Sequence, residues 1–117
     1  MAQSALNVRE PADGCCEIEI VGEFDLEAAP QVQETMEEHD GSVLLFNLEA
    51  CEFIDSTGIA VIVQAAKTAE ATGRGIAAFG CSGQVERVFD ITGLLGRDFV
   101  QPDRTAALAH LRASGSE

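Results

Sequence analysis

An α/β architecture, with a mixed sheet of about five strands and about four helices, is what this sequence predicts. Three observations carry that expectation. Residues 43–48, Val-Leu-Leu-Phe-Asn-Leu, are apolar at nearly every position, as in a central strand covered on both faces. Residues 59–71 continue apolar but at helical spacing. Near the N-terminus, Glu10-Pro11-Ala12-Asp13-Gly14 carries turn chemistry between two short extended segments, which marks a hairpin.

The elements follow in order. Residues 5–9 read as a short strand and residues 10–14 as the turn. Residues 15–22 alternate, with Cys16, Ile18 and Ile20 on one face and Cys15, Glu17 and Glu19 on the other, the pattern of a half-exposed strand. So tight a connection makes the two antiparallel. A polar helix over residues 27–38 carries Ala28, Val32 and Met36 as a narrow buried stripe, and Gly41 is a candidate stop. After the strand at 43–48, Cys51, Phe53 and Ile54 continue the burial up to Asp55. The second helix covers residues 57–71, with Ile59, Ile62, Val63, Ala66 and Ala69 inward and Gly73 as its stop. A fourth strand at 76–79 leads to a third helix opened by Ser82 or Gly83, in which Val85, Val88 and Phe89 pack inward. A short strand at 99–100 precedes a last helix over residues 103–112, with Asp103 as its cap and residues 113–117 as a frayed tail. The later strands are expected to be parallel, joined by right-handed crossovers. With no repeat and no linker, residues 1–117 read as one domain with its core at 6–111.

Composition narrows the function. Twenty acidic residues against seven basic ones give a net charge of −13, which repels nucleic acid and anionic lipid and suits a basic protein partner. Cys15 and Cys16 are adjacent while Cys51 and Cys81 stand alone, so no metal-binding pair is spaced for zinc. Adjacent strand cysteines point to opposite faces, and all four read as small buried hydrophobes in a reducing compartment. No basic segment precedes an apolar stretch at the N-terminus, and Gln64 and Lys67 interrupt the longest apolar run. A cytoplasmic protein without a membrane span is therefore expected.

The chemistry concentrates at Asp55-Ser56-Thr57-Gly58, a hydroxyl-bearing turn between a strand and a helix. A serine at the first turn of a helix faces unpaired N–H groups and the positive end of the dipole. It can cap the helix as a hydroxyl, or the site can hold a phosphate delivered by a kinase. Other readings of the turn fit less well. Ser56-Thr57-Gly58 is half of a nucleophile elbow, but Ile54 stands where the first glycine belongs, and the only histidines are His39 and His110. Asp55 as a phosphate-accepting aspartate lacks the acidic pair and the lysine that such chemistry needs. Gly73, Gly75, Gly80 and Gly83 do not space as a nucleotide-binding loop, so no cofactor is expected.

Three segments together resemble one family. Residues 53–62, Phe-Ile-Asp-Ser-Thr-Gly-Ile-Ala-Val-Ile, are similar to the signature of the STAS domain as found in bacterial anti-sigma factor antagonists. Gly22-Glu23-Phe24-Asp25 resembles the segment before that family's first helix, and residues 85–94 resemble its third helix ending near Gly-Leu. The resemblance implies a STAS-like fold and a regulatory binding protein rather than an enzyme. It implies a partner, an anti-sigma factor that is also an ATP-dependent serine kinase and phosphorylates Ser56, and a phosphatase that reverses this. The dephosphorylated form binds the anti-sigma factor and frees the sigma factor. Asp25, Asp55, Ser56, Thr57, Gly58, Ala60, Val61 and Gln64 are then the expected partner-binding residues, with Asp25 placed near Ser56 or else capping the first helix. Gln84 departs from the family pattern, where many members carry proline. A scaffold or transporter-accessory subunit without a phosphorylation switch is the alternative on the same fold.

Overall fold

The hairpin sets the frame of the computed structural model, which describes residues 5–115. Strand β1 (Ala5–Ala12) pairs antiparallel with β2 (Cys15–Phe24), Ala5 opposite Val21 and Ala12 opposite Cys15. The turn is only Asp13-Gly14; residues 10–12 belong to β1 rather than to the turn, and Pro11 is tolerated because β1 is a sheet edge. Strand β3 (Val43–Asn47) runs parallel to the first half of β2, and β4 (Cys51–Ile54) runs parallel to its end, with Phe24 beside Ile54. Strands β5 (Ile76–Phe79) and β6 (Val100–Gln101) complete a six-stranded sheet of order β1-β2-β3-β5-β6, with β4 on β2.

β4 is an addition to the expected set. The chain bends after β3 because Asn47 Oδ1 accepts from Glu49 N at 3.0 Å and Leu48 O accepts from Cys51 N at 3.1 Å. Residues 51–54 therefore form a separate strand rather than a buried continuation of β3, and Phe53, expected inside, is 39% exposed.

Helix α1 (Ala29–Glu38) begins two residues later than expected and buries Ala29, Val32 and Thr35, with Ala28 beside them. Met36 is half-buried. Helix α2 (Ser56–Thr72) buries Gly58, Val61, Ile62, Ala65, Ala66 and Ala69. Its inward face is rotated from the expected one: Val61 and Ala65 are buried, whereas Ile59 and Val63 are half-buried at the margin of the core. Gly73, with φ +73°, closes α2 in the left-handed conformation, and its N–H reaches back to the helix carbonyls. Helix α3 (Gly83–Ile91) buries Val85 and Phe89. Helix α4 (Arg104–Gly115) is capped through Asp103 Oδ1, which accepts from Ala106 N at 2.9 Å. It continues through residues 113–115, expected to fray; residues 116–117 of that predicted tail lie outside the described residues.

The alternation of the strands divides the core in two. Cys16, Ile18, Ile20, Phe46 and Ala78 face α1, α2 and α3, whereas Cys15, Leu45, Ala77 and Phe79 face α4. Burial pushes the Cys16 and Cys51 thiols up to about 11 and Cys81 to about 12, so they stay protonated hydrophobes near neutral pH. Among the described residues no helix is long and apolar enough to cross a membrane, and no cluster of metal-binding side chains occurs.

The expectation that β2 is half exposed is corrected by Glu17. Its side chain is 1% exposed and lies under α4, where Arg104 binds both carboxylate oxygens at 2.8 and 2.6 Å and Asn47 Nδ2 donates at 3.0 Å. The Arg104 guanidinium also lies over the Phe79 ring, 5.2 Å from its centre. Hydrogen bonds from Arg104 hold the Glu17 carboxyl below the ordinary range, against the opposing effect of burial. A depressed carboxylate pKa stabilises the fold above the unfolded value of about 4.3, and that stability is lost as pH falls through the folded value. Arg104→Met is expected to destabilise the chain by about 3 kcal/mol at pH 7, measured by urea unfolding, and to flatten the acid limb of its stability profile.

Candidate functional site

The turn between β4 and α2 is built by two neighbouring strand ends. Asp55 N donates to Phe24 O at 3.2 Å, which sets residues 55–56 beside Asp25 at the C-terminal end of β2. Asp55 is extended, with φ −110° and ψ −173°, and its Oδ1 accepts from Thr57 N at 2.9 Å and Gly58 N at 3.0 Å. Asp55, not Ser56, is thus the cap of α2; Ser56 is the first helical residue, exposed, with its hydroxyl outside the cap. Asp25 does the same for the turn entering α1: its Oδ1 accepts from Glu27 N and Ala28 N, both at 3.1 Å. The two carboxylates expected at this site are therefore brought to one end of the sheet, Asp55 as the cap of α2 and Asp25 in the turn before α1.

Gly58 fixes the depth of the turn. A methyl group added there would strike the Phe24 carbonyl oxygen and lie 2.8 Å from Ile54 Cγ1. The first turn of α2 is pressed directly onto the ends of β2 and β4, which is why no side chain fits and why Ser56, two positions earlier, is turned to solvent. Since Asp55 already occupies the N–H groups of Thr57 and Gly58, a phosphate on Ser56 would project outward, beside one carboxylate, rather than sink into the helix end.

From Thr57 onward a groove of about 340 Å³ runs between α1 and α2, lined by Leu26, Pro30, Gln33, Thr57, Ala60 and Gln64. Thr57 is half-buried, Ala60 and Gln64 are exposed, and Val61, at 3% exposure, forms the floor rather than the rim. Leu26 is 70% exposed on that rim. It was not among the expected contact residues, although an apolar residue directly after Asp25 at a helix entrance is a signal available in the sequence. Gln84 is the second missed residue: Oε1 accepts from Ile54 N and Nε2 donates to Ile54 O, both at 2.9 Å. Nothing local to residue 84 could reveal a bond across 30 positions.

The histidines are elsewhere. His39 Nδ1 contacts Thr35 O at the end of α1, and His110 lies with Glu70, Arg74 and Gly75, at the opposite end of α2 from Ser56. Neither histidine lies at the β4–α2 turn, so the elbow reading lacks its imidazole base.

The site is thus a strand–turn–helix that exposes one serine directly before the groove-lining Thr57, on a small mixed sheet with α1, α2 and α3 on one face and α4 on the other. The STAS domain family model matches residues 8–107, and the chain belongs to that family. The anti-sigma-B factor antagonist of Listeria monocytogenes is 33% identical over 93 residues, 77% of this chain and 82% of the relative. The anti-sigma-B factor antagonist of Staphylococcus aureus is 31% identical over 81 residues, 67% of this chain and 75% of the relative. The fold is similar to that of the anti-sigma factor antagonist SpoIIAA in its unphosphorylated form, with TM-score 0.79 at 21% identity, covering 93% of this chain and 97% of that one. It is also similar to the phosphorylated form of the Bacillus protein SpoIIAA, with TM-score 0.71 at 19% identity, covering 90% and 96%.

Two substitutions test how the turn is held. Gly58→Ala is expected to cost about 1–3 kcal/mol through overpacking, despite alanine's better helix propensity. Asp55→Ala is expected to cost about 1 kcal/mol through loss of the cap. Urea unfolding midpoints check both.

Proposed function

We propose that the chain is an anti-sigma factor antagonist switched by phosphorylation of Ser56. Dephosphorylated, it binds an anti-sigma factor and releases a sigma factor; phosphorylated, it does not bind. The anti-sigma factor is itself the ATP-dependent serine kinase, a phosphatase restores the binding form, and the circuit operates in the cytoplasm without direct contact to nucleic acid. The observation that carries this reading is the exposed Ser56, outside its helix cap and directly before Thr57, which lines the groove between α1 and α2.

The contact surface follows from exposure. Leu26, Ala60 and Gln64 supply the groove's rim, Thr57 its edge, and Asp25, Asp55 and Ser56 the adjoining polar end. Gly58 and Val61 shape that surface from beneath. A net charge of −13 favours a basic face on the partner and fast, salt-dependent encounter.

Electrostatics is sufficient for the switch. A phosphoserine adds about −1.5 to −2 charges. Where an acidic side chain of the partner faces Ser56 within its otherwise basic face, like charges ~4 Å apart at an effective dielectric of about 20 repel by roughly 4 kcal/mol. Half of that weakens binding by more than tenfold, since about 1.4 kcal/mol is a factor of ten. The fold itself need not change.

Incubation with a candidate anti-sigma factor and ATP, followed by mass spectrometry, is expected to place phosphate on Ser56 and not on Thr57. Ser56→Ala is expected to bind the partner with or without ATP, and Ser56→Asp to bind at least about tenfold more weakly by calorimetry. A partner that binds yet leaves Ser56 unmodified contradicts the switch.

A further inference from the structure

Ile54 immediately precedes the Asp55 cap, and its backbone polar groups face away from β2. Asp55 N donates to Phe24 O, so the alternation of a parallel strand turns the N–H and C=O of Ile54 toward the opposite edge. Among the described residues β4 pairs with β2 only, so no strand lies on that edge. The second residue of α3 occupies it instead. Gln84 Oε1 accepts from Ile54 N, and Gln84 Nε2 donates to Ile54 O, both at 2.9 Å. A primary amide presents a donor and an acceptor side by side, the same pair a neighbouring strand would offer. Ile54 is 1% exposed, so leaving these groups without partners carries a desolvation cost.

We propose that Gln84 is a positioning residue for the switch: by clamping Ile54 from α3, it holds the Asp55 cap, and with it the Ser56 hydroxyl, in the orientation that the partner recognises. The functional half of this statement rests on the reading of Ser56 given above. The chain of contacts is short. Gln84 fixes Ile54, Ile54 leads into Asp55, and Asp55 fixes the amides of Thr57 and Gly58. Few other side chains can take the place. Glutamate keeps the acceptor and loses the donor, methionine has the length and neither, and asparagine is one methylene too short.

Amide hydrogen exchange on the full chain separates positioning from general stability. Gln84→Met is expected to raise exchange at least about tenfold at Ile54, Thr57 and Gly58, while Ala78 in β5 and Ala107 in α4 exchange as in the wild type. Gln84→Glu retains the acceptor, so it is expected to keep Ile54 N protected. In single-turnover phosphorylation by the anti-sigma factor that captures the dephosphorylated chain, Gln84→Met is expected to lower the rate at saturation about tenfold. Unchanged exchange in the turn, or an acceleration spread evenly over the molecule, overturns the proposal; so does a loosened turn that is phosphorylated and bound as before. A wild-type chain never phosphorylated at Ser56 defeats the switch instead, and the exchange measurement still decides whether Gln84 holds the turn.

Discussion

Gly58 lies against the carbonyl of Phe24 and the side chain of Ile54 with no room for a methyl group, and the geometry around Ser56 follows from that contact. Because α2 starts on top of two strand ends, its first N–H groups cannot reach water freely and are taken by Asp55. Because Asp55 takes them, Ser56 is left with an exposed hydroxyl that the fold does not use. A group free of structural duty can be modified without disturbing what surrounds it. The same contact places the end of β2, and so Asp25 and Leu26, next to the first turn of α2.

The two faces of the sheet divide the work. The face under α1, α2 and α3 is almost wholly apolar and carries the turn and its groove. The face under α4 is smaller and holds Glu17, bound by Arg104 and Asn47. A buried carboxylate with a fitted guanidinium favours this docking of α4, since another placement gives up both hydrogen bonds from Arg104 and leaves Glu17 with Asn47 and the more distant Arg9. That pair sits on the far face of β2 from the helices that carry the proposed switch, so the scaffold's polar lock and Ser56 do not compete.

Much of this was legible in the residues, and the failures have physical causes. The hairpin, the central apolar strand, the serine turn and the left-handed Gly73 are encoded over a few neighbouring positions, where turn chemistry and periodicity act. Glu17 and Glu19 looked like a wet strand face because alternation shows that a side differs, not what covers it; the cover arrives 87 residues later as Arg104. Residues 51–54 looked like more of β3 because the Asn47 bend that separates them uses one side-chain oxygen. At the site, local pattern located Ser56 but left open whether Ser56 or Asp55 supplies the cap, since both residue types serve. Gln84 was visible only as a departure from a family pattern, because its partner is a backbone segment brought near by the fold.

An added charge at residue 56 is held to block association while leaving the scaffold as it is. The most direct measurement compares amide NMR spectra of the unmodified chain and the chain fully phosphorylated at Ser56, each with and without the anti-sigma factor. Shifts confined to the β4–α2 turn and the adjoining groove, with resonances of Phe46, Ala78 and Ala107 unmoved and complex formation lost, are the expected result. Displacements running through the sheet, or a phosphorylated chain that still forms the complex, would contradict it.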